Sequence, residues 1–268
     1  MARRNRLDRE LVRRGLARSR DHAAELIGAG RVRIHGTAAT KPATMVDPAE
    51  PVHVVADDGA AEYVSRGGHK LAGALQAFAA AGLTAAGRRC LDAGASTGGF
   101  TDVLLRAGAV EVVAVDVGYG QLAWSIRTDS RVRVFDRTNV RDLTPELIGG
   151  QAELTVADLS FISLRLVLVA LAGCTVDDGD LVVMVKPQFE VGRGKVGSGG
   201  VVRDLSLRAD AVRGVAQTAA TMGFGTAGVA VSPLPGPSGN VEFFLWLRRG
   251  APPLDSEELD RVVAEEVA

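Results

Sequence analysis

The chain is short of most of the residue types that mark specialised protein classes. It has 2 cysteines and 4 histidines in 268 residues. Cys90 and Cys174 lie far from each other and from any Cys/His cluster, which excludes a disulfide framework and the ligand spacing of a zinc site; no metal is expected, and a reducing compartment fits. No stretch approaches the roughly 20 apolar residues of a membrane helix. Met1-Ala2-Arg3-Arg4 is not followed by the apolar run of a signal peptide. The expectation is a cytoplasmic protein that does not enter a membrane. Net charge is nearly absent as well, at −1. What remains is an ordinary globular composition, 47% hydrophobic and 24% charged. Its length suits one large domain joined to one small one.

The small net charge hides an uneven distribution. Residues 1–41 contain eleven Lys/Arg against four acids, a surplus of seven that leaves eight negative charges on the remainder. A basic block beside an acidic body points to a polyanion-binding module joined to something else; the plainer alternative is a solvated helix surface. The block also carries a folding pattern. Leu7, Leu11 and Val12 recur at helical spacing in 6–14, and Gly15 follows as a C-cap glycine would. Ser19 reads as the N-cap of a second helix over 20–29, whose stripe is Ala23, Ala24, Leu26 and Ile27. Val32-Arg33-Ile34 and Val52-His53-Val54-Val55 alternate, so a small sheet follows the helix pair.

The run LVRRGLARSRDHAAELIGAGRVRIHG resembles the α-L RNA-binding domain known from a small-subunit ribosomal protein. That resemblance implies that Arg4, Arg13, Arg18, Arg20 and Arg33 face RNA phosphates. Such contacts give affinity and orientation rather than sequence choice, and they weaken steeply with salt.

Asp57-Asp58-Gly59-Ala60-Ala61 has the composition of a linker. The expected division is a basic domain over 1–58, a linker over 59–66, a catalytic domain over 67–250 and an acidic tail helix over 251–268. Within the catalytic domain, β-like runs at 89–93, 112–116, 132–135, 154–158 and 181–186 alternate with helical segments. That pattern predicts a parallel, doubly wound α/β sheet. A longer helix near 207–222 and two further strands, 228–231 and 241–247, make a seven-stranded Rossmann-like sheet whose last two strands form a hairpin-like pair.

Ligands of open α/β sheets bind at the carboxyl ends of strands. The first strand ends in Asp92-Ala93-Gly94-Ala95-Ser96-Thr97-Gly98-Gly99-Phe100. A dinucleotide fingerprint would need glycine where Ser96 stands, so a pyrophosphate would meet a side chain instead of bare backbone. S-adenosylmethionine has no phosphate, and a glycine turn that admits its methionine and ribose portions suffices. Asp116 ends the second strand, where it can accept hydrogen bonds from ribose hydroxyls; a tight turn without a ligand is the alternative. Asp158, Lys186, Glu242 and Lys70 stand at other strand or helix ends. Each has a structural explanation: a helix N-cap, a solvated strand end, an edge charge, a helix-surface residue. Lys186 stands out because it interrupts an apolar run at the sheet edge that carries the glycine loop.

VSRGGHKL, LDAGASTGGF, DVGYGQL, ADLSFISL, VKPQFE and PSGNVEFF together resemble the TlyA family of ribosomal RNA 2'-O-methyltransferases, which is grouped with FtsJ-type enzymes. The resemblance implies that Lys70, Asp158, Lys186 and Glu242 form the catalytic tetrad. It also implies that Asp92, Gly94–Phe100, Asp116 and Asp158 hold S-adenosylmethionine, and that the substrate is the cytidine ribose of small- and large-subunit ribosomal RNA, with ribosomal subunits as partners. The linker departs from the Arg-x-Trp-Val of mycobacterial relatives, reading Ala61-Glu62-Tyr63-Val64. Two other functions are carried as alternatives, a non-catalytic ribosome-assembly factor and a haemolysin. The glycine-rich run 192–200 is expected to be a mobile lid or an ordinary loop.

Overall fold

The computed structural model describes residues 4–17, 19–55, 63–236 and 238–265, with Arg193 by its backbone alone. Two compact units divide the chain, Met1–Glu62 and Tyr63–Ala268.

In the N-terminal unit a two-residue strand β1 (Asn5–Arg6) leads into helix α1 (Leu7–Arg13), and helix α2 (Arg20–Gly28) follows. Ser19 caps α2 as expected, its hydroxyl accepting the His22 amide. Strands β2 (Val32–Ile34), β3 (Thr37–Ala38), β4 (Met45–Val46) and β5 (Val52–Val54) complete the unit. The order β3-β2-β5 makes one antiparallel sheet, and β1 pairs with β4. Strands β1, β3 and β4 were not foreseen, because two residues are too few to show a period of two. Leu7, Leu11, Ala23, Leu26, Ile27 and Val32 form the core between helices and sheet.

The second unit opens with α3 (Arg66–Ala79), followed by β6 (Arg89–Ala93), α4 (Gly99–Arg106), β7 (Glu111–Val115), α5 (Trp124–Arg127), β8 (Val132–Phe135), α6 (Pro145–Ile148), β9 (Ala152–Ala157), α7 (Leu168–Gly173) and β10 (Thr175–Val185). Then come α8 (Pro187–Glu190), α9 (Leu205–Ala220), β11 (Phe224–Val231), β12 (Phe243–Arg249) and α10 (Ser256–Ala264). The seven strands lie in the order β11-β12-β10-β9-β6-β7-β8. All neighbours are parallel except that β12 runs against both β10 and β11. Successive residues alternate between two cores. Leu91, Val113, Val183 and Leu245 face α7, α9 and α10. Cys90, Val112, Val182 and Phe244 face α3 and α4. Both faces are covered, which is why these strands read as near-continuous apolar runs. The tail helix α10 is more than a surface element, since Leu259 and Val263 are buried in the first of these cores.

Chain order runs outward from β6 in one direction and resumes at β9 on its other side. The carboxyl ends of β6 and β9 therefore border the crevice where such sheets bind ligands.

Candidate active site

The glycine turn after β6 is shaped by close approach. Gly94 has φ 90°, and a side chain there would run into the Asp158 carbonyl and the Leu159 side chain. The amides of Gly94 and Ala95 both donate to the Val115 carbonyl, at 2.8 and 3.0 Å. Asp116 then ties this loop to the next one: Oδ2 accepts from the Ser96 amide at 2.8 Å and Oδ1 from the Gly118 amide at 2.6 Å. Beside them lies a cavity of ≈ 500 Å³, lined by Gly94, Ser96 and Asp116, by Val117 and Gln121 after β7, by Thr138–Val140 after β8, and by Asp158–Ile162 and Val167 after β9. Its size falls in the range of small-molecule sites.

Of the cofactor candidates, Gly94, Ser96, Asp116 and Asp158 line this cavity; Asp92, Ala95, Thr97, Gly98, Gly99 and Phe100 do not. The reasons are visible in their packing. A side chain at Gly98 would meet Leu122, and one at Gly99 would meet Ser65 and the Gly68 backbone, so these glycines serve the seating of α4. Phe100 is buried with its ring 6.1 Å from that of Phe244. The lining residues that the motif reading missed follow the ends of β7, β8 and β9. The rule that singled out Asp116 would have reached them; Val117, Gln121 and Leu159–Ile162 lie within the DVGYGQL and ADLSFISL runs, whereas Thr138–Val140 and Val167 lie in none.

The structure settles whether the four charged candidates are surface residues. Lys70, Lys186 and Glu242 are 7%, 8% and 1% exposed. They are arranged as two ion pairs. Lys70 Nζ donates to Glu242 Oε2 at 2.5 Å. Lys186 Nζ stands 2.5 Å from Asp158 Oδ1, an ion contact without hydrogen-bond angles, and donates to the Ser160 hydroxyl at 3.0 Å. Glu242 Oε1 is buried and receives no hydrogen bond. The topology explains the convergence. Asp158 follows β9, its amide bonded to the Ala93 carbonyl. Lys186 follows β10 and Glu242 precedes β12, each one residue beyond the antiparallel pair Val185–Phe243. A reversed last strand thus brings its first residue to the edge where the parallel strands end.

Asp92 is fully buried on the α3–α4 face, and its Oδ2 accepts the Thr101 hydroxyl at 2.6 Å while Oδ1 has no partner. Burial, reinforced by the charges of Asp158 and Asp116, pushes its pKa up to about 7.

In the N-terminal unit the arginines are less free than their number suggests. Arg13 donates to Glu10, and Arg20 to Asp8 at 2.8 Å, although both arginines stay about half-exposed. Arg33 bonds the Gly36 carbonyl, and Arg4 is exposed. Arg18 lies outside the described residues, as do residues 56–62 with Ala61 and Glu62 of the linker. Among the described residues no group of three or more His, Cys, Asp or Glu is placed to hold a metal, and no helix is long and apolar enough to cross a membrane.

A parallel sheet with one reversed strand, a nucleoside-sized crevice at its carboxyl edge and two lysine–carboxylate pairs beside it define an enzyme of the methyltransferase type. The model of the FtsJ-like methyltransferase family matches residues 63–249, and that of the S4 domain residues 5–52. The chain belongs to the FtsJ-like methyltransferases, in the TlyA family, and that membership implies an S-adenosylmethionine-type cofactor. It is 66% identical to the 16S/23S rRNA (cytidine-2'-O)-methyltransferase TlyA of Mycobacterium tuberculosis, over 92% of this chain and 91% of that protein. It is 36% identical to a Brachyspira hyodysenteriae protein named Hemolysin A, over 89% of this chain and 97% of that one. A solved structure from Streptococcus thermophilus, provisionally called a hemolysin, is similar at TM-score 0.77 and 38% identity, covering 98% of this chain and 96% of that one.

Proposed function

We propose that the protein transfers the methyl group of S-adenosylmethionine to the ribose 2'-hydroxyl of cytidine in 16S and 23S ribosomal RNA. The observation that carries this reading is the pair of buried lysine–carboxylate contacts at the strand ends bordering the cavity. Lys70, Lys186 and Glu242 are buried and Asp158 is half-buried, and burying charge is costly. A protein that only bound RNA, or one that lysed membranes, would have no use for them there.

The cavity suits the cofactor. Val117, Val140, Leu159, Ile162 and Val167 offer apolar surface for a purine, and Asp116, whose oxygens each keep a free lone pair beside one amide bond, offers acceptors to ribose hydroxyls. Asp158, on the cavity wall, would offer negative charge to the cofactor's sulfonium. When bound, that group supplies an electrophilic methyl carbon. The remaining work falls to the chain. A ribose hydroxyl is a weak nucleophile because its proton leaves reluctantly. Lys186, oriented by Asp158 and Ser160, meets the charge that develops on the oxygen as its proton passes to water. Glu242 holds Lys70 against the same edge, and the rest is alignment of oxygen, carbon and sulfur. Phe161 is 92% exposed at the cavity rim, with φ 64° and its ring 5.3 Å from that of Phe189. It is the surface on which an unstacked target base would rest. The S4 domain contributes RNA affinity through Arg4, Arg13, Arg18, Arg20 and Arg33, and an rRNA or ribosomal-subunit substrate goes with a cytoplasmic location.

The test is to incubate the protein and its Lys186→Ala variant with ribosomal subunits and methyl-labelled S-adenosylmethionine, then map the label by mass spectrometry. Label on a cytidine 2'-oxygen, reduced by about 10²-fold or more in the variant, is expected. Label on a base, or none on either subunit despite cofactor binding, would refute the reading.

A further inference from the structure

One buried carboxylate beside the site belongs to neither lysine pair. Glu190 ends α8 and is 7% exposed. Its Oε1 accepts the Leu164 amide at 2.7 Å; Oε2 accepts the Ser163 hydroxyl at 2.6 Å and Arg165 Nε at 3.3 Å. Arg165 Nη2 returns a bond to the Glu190 main-chain carbonyl at 2.9 Å. The segments that follow β9 and β10 are therefore joined by three successive rungs. The first is Asp158 and Ser160 on Lys186, the second is the ring of Phe161 against that of Phe189, and the third is Ser163, Leu164 and Arg165 on Glu190.

The rungs differ in what they can hold. The first contains the reacting charges, and the second is an aromatic contact on the surface. Only the third rests on a buried carboxylate whose two oxygens both receive hydrogen bonds. Phe161, a non-glycine residue at φ 64°, occupies a conformation that persists only when its surroundings dictate it. The Glu190 rung closes the loop on the far side of that strained residue. Apolar side chains could join two loops with less desolvation, but a carboxylate receiving several donors from one loop also fixes its direction.

We propose that Glu190 is a positioning residue: by clamping the 158–165 loop to the helix that follows Lys186, it holds Asp158, Ser160 and Phe161 at the distances on which turnover depends. The proposal rests on the methyl-transfer reading above, and its test separates the two. Amide hydrogen exchange over 159–165, which needs no RNA, is measured beside kcat and RNA affinity in Glu190→Ala, Glu190→Gln and Ser163→Ala. In Glu190→Ala the loop amides, that of Leu164 first, are expected to exchange at least about tenfold faster while strand amides are unchanged. The same variant should lose about ten- to a hundredfold in kcat at saturating cofactor and RNA, with RNA affinity within about twofold of wild type. Glu190→Gln keeps an acceptor for Leu164 and should recover most of the loss. Ser163→Ala should slow turnover alone and add nothing in the Glu190→Ala background.

Three results would overturn the proposal: turnover per folded molecule equal to wild type in Glu190→Ala, faster exchange spread over the whole sheet, or effects of the two substitutions that multiply. Should Glu190→Ala fail to fold, Ser163→Ala and Glu190→Gln decide alone, and wild-type exchange and kcat in both would overturn it. A wild-type protein inert on rRNA would count against the proposed function, while the exchange data still judge the clamp.

Discussion

In the N-terminal unit, Asp8 and Glu10 are 3% and 1% exposed on α1, and both oxygens of each are met by donors. Asp8 takes Arg6, Arg20 and the Arg9 amide. Glu10 takes Arg13, Arg14 and Asn5. The bonds from Arg6 and from Arg13 hold these two carboxyls well below the usual carboxylate range. In the catalytic unit Asp92 Oδ1 and Glu242 Oε1 are buried with no donor, and Asp158 Oδ1 has only its ion contact. The division follows place rather than unit. Asp180, midway along β10, is saturated by Arg88, Arg248 and the Trp246 indole, like the carboxylates of α1. Where a carboxylate serves the fold its oxygens are satisfied. Among the described residues, the carboxylate oxygens buried without a hydrogen-bond donor lie near the carboxyl ends of β6 and β9 and just before β12, and those of Asp158 and Glu242 belong to the lysine pairs proposed for catalysis.

The sharpest way to break this contrast is to neutralise one carboxylate of each kind. Glu242→Gln keeps the shape and removes the charge facing Lys70; methyl transfer should fall by about 10²-fold. Asp8→Asn should leave kcat within about twofold. Both are read with the same labelled-methyl assay, and normal turnover in Glu242→Gln would erase the distinction.

The next largest effect concerns stability against pH, where the two kinds should differ in sign. Asp8 and Glu10 have lowered folded-state pKa values, so their stabilisation is present above the unfolded value near 4 and is lost as pH falls below it. Asp92, raised to about 7, binds its proton more tightly when folded. Its charge therefore costs stability increasingly as pH climbs from about 4 to about 7, and fully above that. Asp92→Asn keeps an acceptor for Thr101 and should stabilise the protein by roughly 2–4 kcal/mol at pH 8, a gain that shrinks towards pH 4. Calorimetric melting of the variant at both pH values measures this. A gain that is independent of pH would mean that packing, not ionisation, is responsible.

The smallest effect separates arginines within the basic unit. Arg14 bonds Glu10 and the carbonyls of Asp47, Pro48 and Glu50. Arg14→Ala should therefore lower the melting temperature. Arg4→Ala should leave melting unchanged, weaken RNA binding a few-fold and reduce the salt slope of binding by about 1. Filter binding at several salt concentrations, set beside the melts, would show whether the two arginines really divide this way.

Much of this was legible in the linear chain. The strands from β6 to β10 announce themselves as apolar runs because both sheet faces are covered. The capped helix α2, the glycine turn at 94 and the strand-end position of Asp116 are local features, set by backbone sterics and hydrogen bonds over a few residues. The basic surplus of residues 1–41 is additive and needs no coordinates. Other features were not legible. Whether Lys70 or Lys186 is a solvated surface residue or a buried member of an ion pair does not show in its letter, since either environment accepts a lysine when a carboxylate is at hand. Which neighbours crowd Gly98 and Gly99 did not show in the sequence: a side chain at Gly98 would run into Leu122, and one at Gly99 into Ser65 and the Gly68 backbone. The wall at 138–140 lies in no motif, and although Val117, Gln121 and Glu190 fall inside the DVGYGQL and VKPQFE runs, the cavity and the clamp they build exist only once the sheet order has brought separate loops together. Composition and short-range periodicity thus determined the elements, their class and the residue types at the strand ends. Which charges meet, which are buried and which oxygens go without a donor was decided by the tertiary structure, because those properties depend on contacts between segments up to 172 positions apart, as in Lys70 and Glu242.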